Sequence, residues 1–286
     1  MSKIRKTRLN RSLGGNLLVA LILLVVGAFM FLPLFYIVVS SLKPLSEFFY
    51  FPPRFFVQNP TLKNYSDMFN VMTDTTVPFL RYLFNTLFIS IVGTAGHVVI
   101  ASMCAYALAK HVFPGRNAIF QIIVTSLMFN AAVMAVPSFL IVSSLHLIDT
   151  YWAYIIPAFG LPLGLYLMKQ FIEQMVPDAV LESAKMDGCG EWRMIWRIVM
   201  PMVKPAWLTL IIFAFQGLWN VGTTQYIFQE KLKTINYALS QILAGGIART
   251  GVGTAVSVVM LIVPIVVFMV TQNSVVETMS TSGMKE

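Results

Sequence analysis

Residues 12–42 read SLGGNLLVALILLVVGAFMFLPLFYIVVSSL, an uncharged run that decides the fold class of this chain. A helix needs about 20 mostly apolar residues to cross the hydrocarbon core of a bilayer, and this run is longer. Basic residues precede it, as they precede a signal peptide: Lys3, Arg5, Lys6, Arg8 and Arg11. A cleaved signal has an apolar core of roughly 7–15 residues that ends at a small-x-small site. This run is longer, and no such site ends it early. We therefore expect a retained first membrane helix.

The composition of the whole chain agrees with a lipid environment. It is 57% apolar and only 11% charged, whereas soluble domains carry about 25% charged residues. The net charge of +8 is compatible with nucleic-acid binding, but the basic residues lie in short segments beside apolar runs, which is the pattern that orients membrane proteins. We therefore predict membrane lipid as the surroundings of the chain and no nucleic-acid partner.

Six segments are long and apolar enough, or nearly so, to be spans: 16–42, 83–109, 117–144, 151–170, 204–226 and 253–275. The sequence thus predicts an all-α polytopic membrane protein with about six transmembrane helices. The fourth segment contains Pro157, Gly160 and Pro162, so we expect it to be kinked or partly unwound. Such a break is tolerated where protein or a water-filled cavity satisfies the freed backbone groups.

The distribution of Lys and Arg predicts the orientation of these spans. Basic residues are more numerous in the segments that lie inside when the N-terminus is inside, which the positive-inside rule favours. Both termini are then cytosolic. The first outer loop, about 43–80, contains Phe51-Pro52-Pro53 and several further aromatic residues, and we expect it to be an ordered cap.

The sequence lacks the residue patterns that several kinds of chemistry require. No Gly-Lys pair of the P-loop type occurs. No Asp, Glu, Lys or Arg lies in the middle of a predicted span, although ion-coupled carriers usually place ionisable groups there. The three histidines, His97, His111 and His146, fall in separate segments and suggest neither a metal site nor a catalytic triad. We therefore predict no catalytic and no metal-binding residue, and a membrane pathway that another protein drives.

The loop after the fourth span has the features of a short amphipathic helix. Pro177 suits its first turn. Asp178 and Glu182 place negative charge near its N-terminus, where the helix dipole favours it, and Lys185 lies toward the other end. Gly188 suits the stop, because glycine accepts the left-handed conformation. We expect a helix over 178–187 and a second short helix over about 191–199.

This loop resembles the EAA loop of ABC-importer permeases, whose pattern is Glu-Ala-Ala, three residues, Gly, nine residues and Ile-x-Leu-Pro. The matching positions are Glu182, Ala184, Gly188, Ile198 and Pro201. The chain departs from the pattern mildly, since Ser183 replaces the middle Ala and Met200 replaces Leu. An ordinary amphipathic loop helix would not need five matches at this spacing.

The resemblance extends over nearly the whole chain from about residue 15. The segments 40–44 (SSLKP), 61–65 (TLKNY) and 272–285 are similar to those of carbohydrate-type importer permeases, and most of all to the second, six-span permease of the maltose-type systems. Residues 221–225 (VGTTQ) depart from the bulkier apolar run that is usual there. The resemblance implies a type I ABC importer permease fold, with a cytosolic basic tail over 1–15, the permease domain over 16–286 and a coupling loop over 171–203.

The resemblance also implies partners and a mechanism. The partners are a homologous second permease, two ABC ATPase subunits and an extracytoplasmic solute-binding protein, in a bacterial cytoplasmic membrane. ATP and Mg would be bound by the ATPase subunits, and this chain would hold no cofactor. The helix over 178–187 would lie in a groove of an ATPase and convert its closure into a change of access. The expected coupling residues are Glu182, Ser183, Ala184, Asp187 and Gly188.

For the solute, the resemblance implies a sugar or oligosaccharide, and the uncharged spans are compatible with a neutral, hydroxyl-rich molecule. Candidates for the transport path are Asn130, Tyr154, Gln216, Trp219 and Asn220; each also suits helix packing or the membrane interface. Three alternatives remain open at this point. They are a secondary carrier, a permease of the same superfamily for amino acids, peptides or another solute, and a structural or receptor-like membrane subunit.

Overall fold

The computed structural model describes residues 13–70 and 77–282, and helices dominate this part of the chain. The α-helices in chain order are α1 Leu13–Ser41, α2 Leu45–Phe48, α3 Lys63–Asn70, α4 Phe79–Lys110, α5 Arg116–Ser126, α6 Ala131–Ser144, α7 Trp152–Phe159, α8 Pro162–Met175, α9 Asp178–Met186, α10 Glu191–Met194, α11 Met200–Met202, α12 Lys204–Trp219, α13 Ile235–Ala244 and α14 Thr250–Ser282. A π-helical segment, Ile195–Val199, joins α10 to α11. The predicted all-α class is confirmed. Most of the predicted basic tail, 1–15, and Lys285 lie outside the described residues.

The chain forms two compact units. Of the described residues, 13–68 and 245–258 form one unit, and 69–70, 77–244 and 259–282 form the other. The predicted coupling loop and all the predicted path residues belong to the second unit.

The first unit contains α1 and the loop that follows it. Side chains of α1 are apolar and largely exposed, as expected for a helix whose surroundings are lipid or another membrane protein. The loop is held by buried polar groups: Asn64 Nδ2 donates to the carbonyl oxygens of Ser41 and Lys43, both at 2.8 Å. The buried carboxylate of Glu47 accepts from the backbone N–H groups at 58–59. Over residues 43–68 the loop is therefore ordered, as expected, and its role as a cap on the outer face stays a prediction.

The second unit is built around α4, which packs against α7, α8 and α12. A row of buried alanines runs along α4 at every fourth residue: Ala101, Ala105 and Ala109. Their small side chains let neighbouring helices approach α4 closely. His97 occupies space that Gly164 of α8 leaves free, since a Cβ atom on Gly164 would clash with His97 Nε2. The core of this unit thus depends on small residues where helices cross.

Within the described residues, four helical segments are long and apolar enough to cross a membrane, by length and composition: Gly14–Ser41, Phe79–Lys110, Trp152–Met175 and Ile247–Gln272. A fifth results if Glu191–Met202 and Lys204–Trp219, which meet at 85°, are counted as one span. Five of the six predicted segments therefore correspond to these candidates. The break predicted in the fourth is confirmed, because α7 ends at Phe159 and α8 begins at Pro162.

The structure corrects two of the predicted spans. The segment 117–144 is two helices, α5 and α6, and not one. The break occurs at Asn130, whose Oδ1 accepts from the backbone N–H of Ala132 at 2.9 Å, and asparagine is a favoured residue for starting a helix. The segment 204–226 is also shorter than predicted, since α12 ends at Trp219. There Asn220 Nδ2 donates to the Gln216 carbonyl at 2.9 Å, and asparagine side chains that bond to nearby backbone groups compete with helix continuation.

Candidate functional site

The predicted coupling helix is present as α9, which ends one residue before the predicted limit of 187. Pro177 precedes it in an extended conformation, with φ −66° and ψ 142°. Gly188 follows with φ 75°, the left-handed conformation in which glycine commonly ends a helix. The expected stop is therefore confirmed. The second expected helix, about 191–199, is present as α10 with the π-helical segment Ile195–Val199.

One face of α9 belongs to the core of this chain. Leu181 and Ala184 are buried and pack in one apolar cluster with Ile172, Met194 and Val199. The small side chain of Ala184 therefore permits a close approach between α9 and its own subunit. Ala184 is one of the expected coupling residues, and since its side chain faces its own subunit, any effect on an ATPase would be indirect; its coupling role stays a prediction.

The opposite face of α9 is open. Glu182, Ser183, Asp187 and Gly188 are all exposed, and Met186 is 88% exposed. Ser183 Oγ donates to the Val180 carbonyl of its own helix at 3.0 Å. Across the described ranges, the carboxylates of Glu182 and Asp187 have no hydrogen-bond or ion-pair partner. This face is thus an acidic surface with one large apolar side chain, free to contact another protein.

Lys110, the last residue of α4, holds the start of α9. Its Nζ atom lies 2.7 Å from Asp178 Oδ1 and donates to the Val176 carbonyl at 2.6 Å. The Lys110 side chain is 9% exposed and that of Asp178 is 77% exposed, so the ion pair itself contributes on the order of 1 kcal/mol or less. Its main consequence is positional, because it joins the surface helix to the central span of the unit.

Glu191, at the start of α10, contacts three further side chains, and the sequence analysis had not chosen any of these four as a site residue. Tyr106 donates its hydroxyl to Glu191 Oε2 at 2.9 Å. Lys185 Nζ lies 3.4 Å from Oε1, and His111 Nε2 lies 3.5 Å from Oε2. An acidic residue at a predicted helix start was visible in the sequence. Its partner Tyr106 was not, because 85 positions separate the two. This network connects α4, α9 and α10.

Two of the predicted path residues are packed inside the unit. Trp219 is 1% exposed, its Nε1 donates to the Met260 carbonyl at 3.0 Å, and its ring stacks on Phe215. Tyr154 is buried and donates its hydroxyl to the Gly222 carbonyl at 3.1 Å. These contacts give both large side chains a structural role without a solute.

The other three predicted path residues, Asn130, Gln216 and Asn220, are exposed. Asn130 and Asn220 use their side chains at helix ends, and the Asn220 carbonyl accepts from Asn236 Nδ2 at 2.6 Å. Over the described residues the Gln216 side chain has no hydrogen-bond partner. Gln216 is therefore the predicted path residue whose polar atoms are available to a ligand.

A cavity of about 340 Å³ is lined by sequence neighbours of two predicted path residues, although no predicted path residue is part of its lining. Phe129, Phe213 and Gly217 contribute to its lining, as do His97 and Pro162. Phe129 and Gly217 directly adjoin Asn130 and Gln216 in the sequence. Pockets for small molecules combine apolar or aromatic walls with a few polar groups. The lining of this cavity has the same composition.

At the opposite end of α4, polar contacts order the loop that follows α12. Tyr82 donates its hydroxyl to Glu230 Oε1 at 2.6 Å, and Lys233 Nζ lies 3.4 Å from Glu230 Oε2. Burial by itself lowers the pKa of the Lys233 ammonium, but Tyr237 and Glu230 outweigh burial and raise it. Lys233 therefore stays charged at neutral pH and keeps its contact with Glu230.

Comparison with known proteins identifies the family of this fold and loop. The family model of the binding-protein-dependent transport system inner membrane component matches residues 97–280. LplC of Bacillus subtilis strain 168 is 38% identical over 200 residues, which cover 68% of this chain and 63% of LplC, just under two thirds of that protein. The arabinooligosaccharides transport system permease protein AraQ of the same organism is 28% identical over 257 residues, which cover 88% of this chain and 90% of AraQ.

A solved structure supports the fold. A bacterial ABC transporter involved in the import of the acidic polysaccharide alginate has a chain similar to this one, with a TM-score of 0.76 and 22% sequence identity over 92% of this chain and 98% of that chain. The family match covers more than half of the present chain, and it includes α9, Gly188 and every predicted path residue. The chain therefore belongs to the family of binding-protein-dependent transport system inner membrane components, the membrane permeases of ABC transporters.

Proposed function

We propose that this chain is the permease subunit of an ATP-driven importer for a sugar or oligosaccharide, which an extracytoplasmic solute-binding protein delivers. The family supports the transport role, and in this family ATP hydrolysis belongs to a separate ATPase and not to the permease. The observation that carries the coupling part of the proposal is the open acidic face of α9 on a helix whose other face is buried in the membrane unit.

Membership in this family implies, in general terms, a solute-binding protein, a second permease and an ATPase as partners. We propose one homologous second permease and two ATPase subunits for this system. ATP and Mg would then be bound by the ATPase subunits, with no cofactor in this chain. We place the chain in a bacterial cytoplasmic membrane, in line with the similar proteins of Bacillus subtilis. The excess of basic residues in alternate loops supports an orientation with both termini in the cytosol.

In the proposed mechanism, the exposed face of α9 docks in a groove of an ATPase subunit. Glu182 and Asp187 supply charged contacts there, and Met186 supplies apolar contact area. Because Leu181 and Ala184 are buried in the core and Lys110 holds the N-terminal end, a displacement of α9 moves the packed helices with it. Closure of the ATPase would thereby change access to the pathway between the two permeases.

The proposal of a sugar solute has two supports. AraQ, which matches most of this chain, is named for arabinooligosaccharides. The cavity lined by Phe129 and Phe213 offers aromatic rings with the neutral polar side chain of Ser126. Asn130 and Gln216 are the sequence neighbours of two lining residues, and their amides suit hydroxyl groups because an amide can both donate and accept hydrogen bonds. Trp219 and Tyr154 would shape this region through packing.

The test is the ATPase activity of the co-expressed complex in lipid, with and without solute-loaded binding protein. We expect Glu182→Lys to reduce the stimulated rate of ATP hydrolysis by about tenfold, because the variant loses an interface contact that contributes about 1–2 kcal/mol. The permease should still insert and fold. Asp67→Lys is the matched control, because it makes the same charge reversal in α3, on the side predicted to be outer. Stimulated hydrolysis and uptake that are unchanged by Glu182→Lys would refute the coupling role of α9.

A further inference from the structure

A second cavity lies elsewhere on the second unit, and none of the predicted path residues lines it. Its volume is about 830 Å³, it is open rather than enclosed, and α4, α12, α14 and the segment between α10 and α12 contribute to its walls. This volume falls in the range of about 300–1,000 Å³ that is typical of ligand pockets. The cavity is therefore large enough for a ligand of its own.

The walls of this cavity are almost wholly apolar. Ala95, Val98 and Trp207 are representative of the lining. A hydroxyl-rich solute would lose its hydrogen bonds to water here without replacing them, which is unfavourable. A hydrocarbon chain gains by leaving water or by filling an apolar void. The cavity thus suits an acyl chain and does not suit the transported solute that we propose.

Two residues of the cavity lining carry hydrogen-bond donors that have no partner among the described residues. Lys204 lines the cavity, is exposed and has no ion-pair partner among the described residues. Trp196 also lines it, and its Nε1 atom is buried without a hydrogen-bond partner within the described ranges. Buried donors in folded proteins are rarely left without an acceptor. An exposed ammonium at an apolar cavity, with an indole N–H close in sequence that has no acceptor in the described part of the chain, therefore favours an acceptor-rich anionic group.

The segment that leads to Lys204 adds further positive charge. Arg193 and Arg197 are exposed, four residues apart and without an ion-pair partner among the described residues. Like charges at this spacing on a helix repel each other, and a bound anion would relieve the repulsion. Trp192 and Trp196 pack edge to face, with centroids 5.9 Å apart, and tryptophan collects at membrane–water interfaces.

We propose that this cavity binds one anionic phospholipid of the cytoplasmic leaflet. The acyl chain lies along the apolar wall formed by α4 and α12, and the phosphate contacts Lys204 Nζ, with Trp196, Arg193 and Arg197 nearby. On the predicted orientation of the spans, this basic segment lies on the cytosolic side, where anionic lipids attract Lys and Arg clusters. The proposal is independent of the identity of the transported solute.

The test uses the purified full-length chain in bilayers and the quenching of tryptophan fluorescence by lipids with brominated acyl chains. We expect brominated phosphatidylglycerol to quench more strongly than brominated phosphatidylcholine at the same mole fraction. Lys204→Gln should weaken the preference for phosphatidylglycerol by about fivefold, the effect of one cation near an anionic surface. Lys231→Gln is the matched control, because it removes the same charge from an exposed position outside the cavity.

A second variant pair tests the acyl-chain part. Ala95 lines the cavity and is exposed, so Ala95→Phe should fill the cavity and lower quenching by both lipids, whereas Ala28→Phe on the exposed surface of α1 should not. Equal quenching by the two headgroups, or a preference that Lys204→Gln leaves unchanged, would overturn the proposal. So would a preference that disappears when the second permease is co-expressed, since the cavity would then be a subunit contact. If Ala95→Phe fails to insert, the Lys204 and Lys231 pair decides.

Discussion

The Nζ atom of Lys110 lies 2.7 Å from the carboxylate of Asp178 and within hydrogen-bond distance of the Val176 carbonyl. These contacts join the C-terminal end of the central span, α4, to the N-terminal end of α9, the helix that carries the open acidic face. Because Lys110 is nearly buried while Asp178 is mostly exposed, the lysine orders the junction and the aspartate is the peripheral partner.

We predict that Lys110→Met weakens coupling more than Asp178→Asn does. The lysine variant loses both the ion pair and the hydrogen bond to the Val176 carbonyl, which together contribute about 1–3 kcal/mol, whereas the aspartate variant keeps the carbonyl contact. The measurement is ATPase stimulation by loaded binding protein in the assembled complex, with uptake in parallel. Equal losses in the two variants would show that the carbonyl contact has no role of its own.

We predict that Gly188→Ala destabilises the end of α9, because Gly188 has φ 75° and side chains rarely adopt that conformation. The expected cost is about 1–2 kcal/mol, and Gly188→Asn should be milder, since asparagine tolerates it better. Hydrogen exchange of the amides at 187–189 is the measurement. Gly190→Ala is the control, because Gly190 has φ −71° and open space around it. An equal effect at both positions would contradict the role of the left-handed conformation.

We predict that Gly164→Ala lowers the thermal unfolding midpoint of the purified permease. The new methyl group would meet His97, whose ring is buried and whose Nδ1 lies 3.3 Å from the Phe159 carbonyl, so the ring would have to give up this contact to make room. Overpacking of this kind costs about 1–3 kcal/mol. Gly160→Ala should be close to neutral, because its nearest contact is an ordinary 3.8 Å.

The double variant with His97→Ala and Gly164→Ala completes this test. Removing the imidazole makes room for the new methyl group, so the double variant should be more stable than the sum of the two single changes implies. Strict additivity would mean that the two residues do not share the space that the structure assigns to them.

We predict that Gln216→Ala and Trp219→Phe have different consequences. Gln216 is exposed and its amide has no partner in the described part of the chain, so its loss should raise the KM of uptake with little change in unfolding midpoint. Trp219→Phe removes the hydrogen bond to the Met260 carbonyl and should cost about 1–3 kcal/mol of stability. Uptake kinetics and thermal unfolding are measured for both. A raised KM for Trp219→Phe at unchanged stability would place the indole in contact with solute.

Local properties of the chain were sufficient to predict most elements of the fold. The apolar runs predicted membrane helices because crossing a bilayer requires length and low polarity, both of which are linear features. Gly188 predicted the end of α9, and Gly160 with Pro162 predicted the break between α7 and α8, because each depends on the backbone preference of one or two residues. The unpredicted break at Asn130 was open to the same reasoning, since its side chain caps the next helix.

Tertiary packing, by contrast, determined what each predicted residue does. Ala184 could be assigned to an inner or an outer face only when α9 was seen against Met194 and Val199. Glu191 meets Tyr106, and Trp219 is enclosed by its own unit. These outcomes depend on which faces of distant helices meet, and in so apolar a chain almost every helix face is hydrophobic enough to be buried. Hydropathy therefore predicts that these helices pack together, and the shapes and hydrogen bonds of the meeting side chains decide which residues remain free to act.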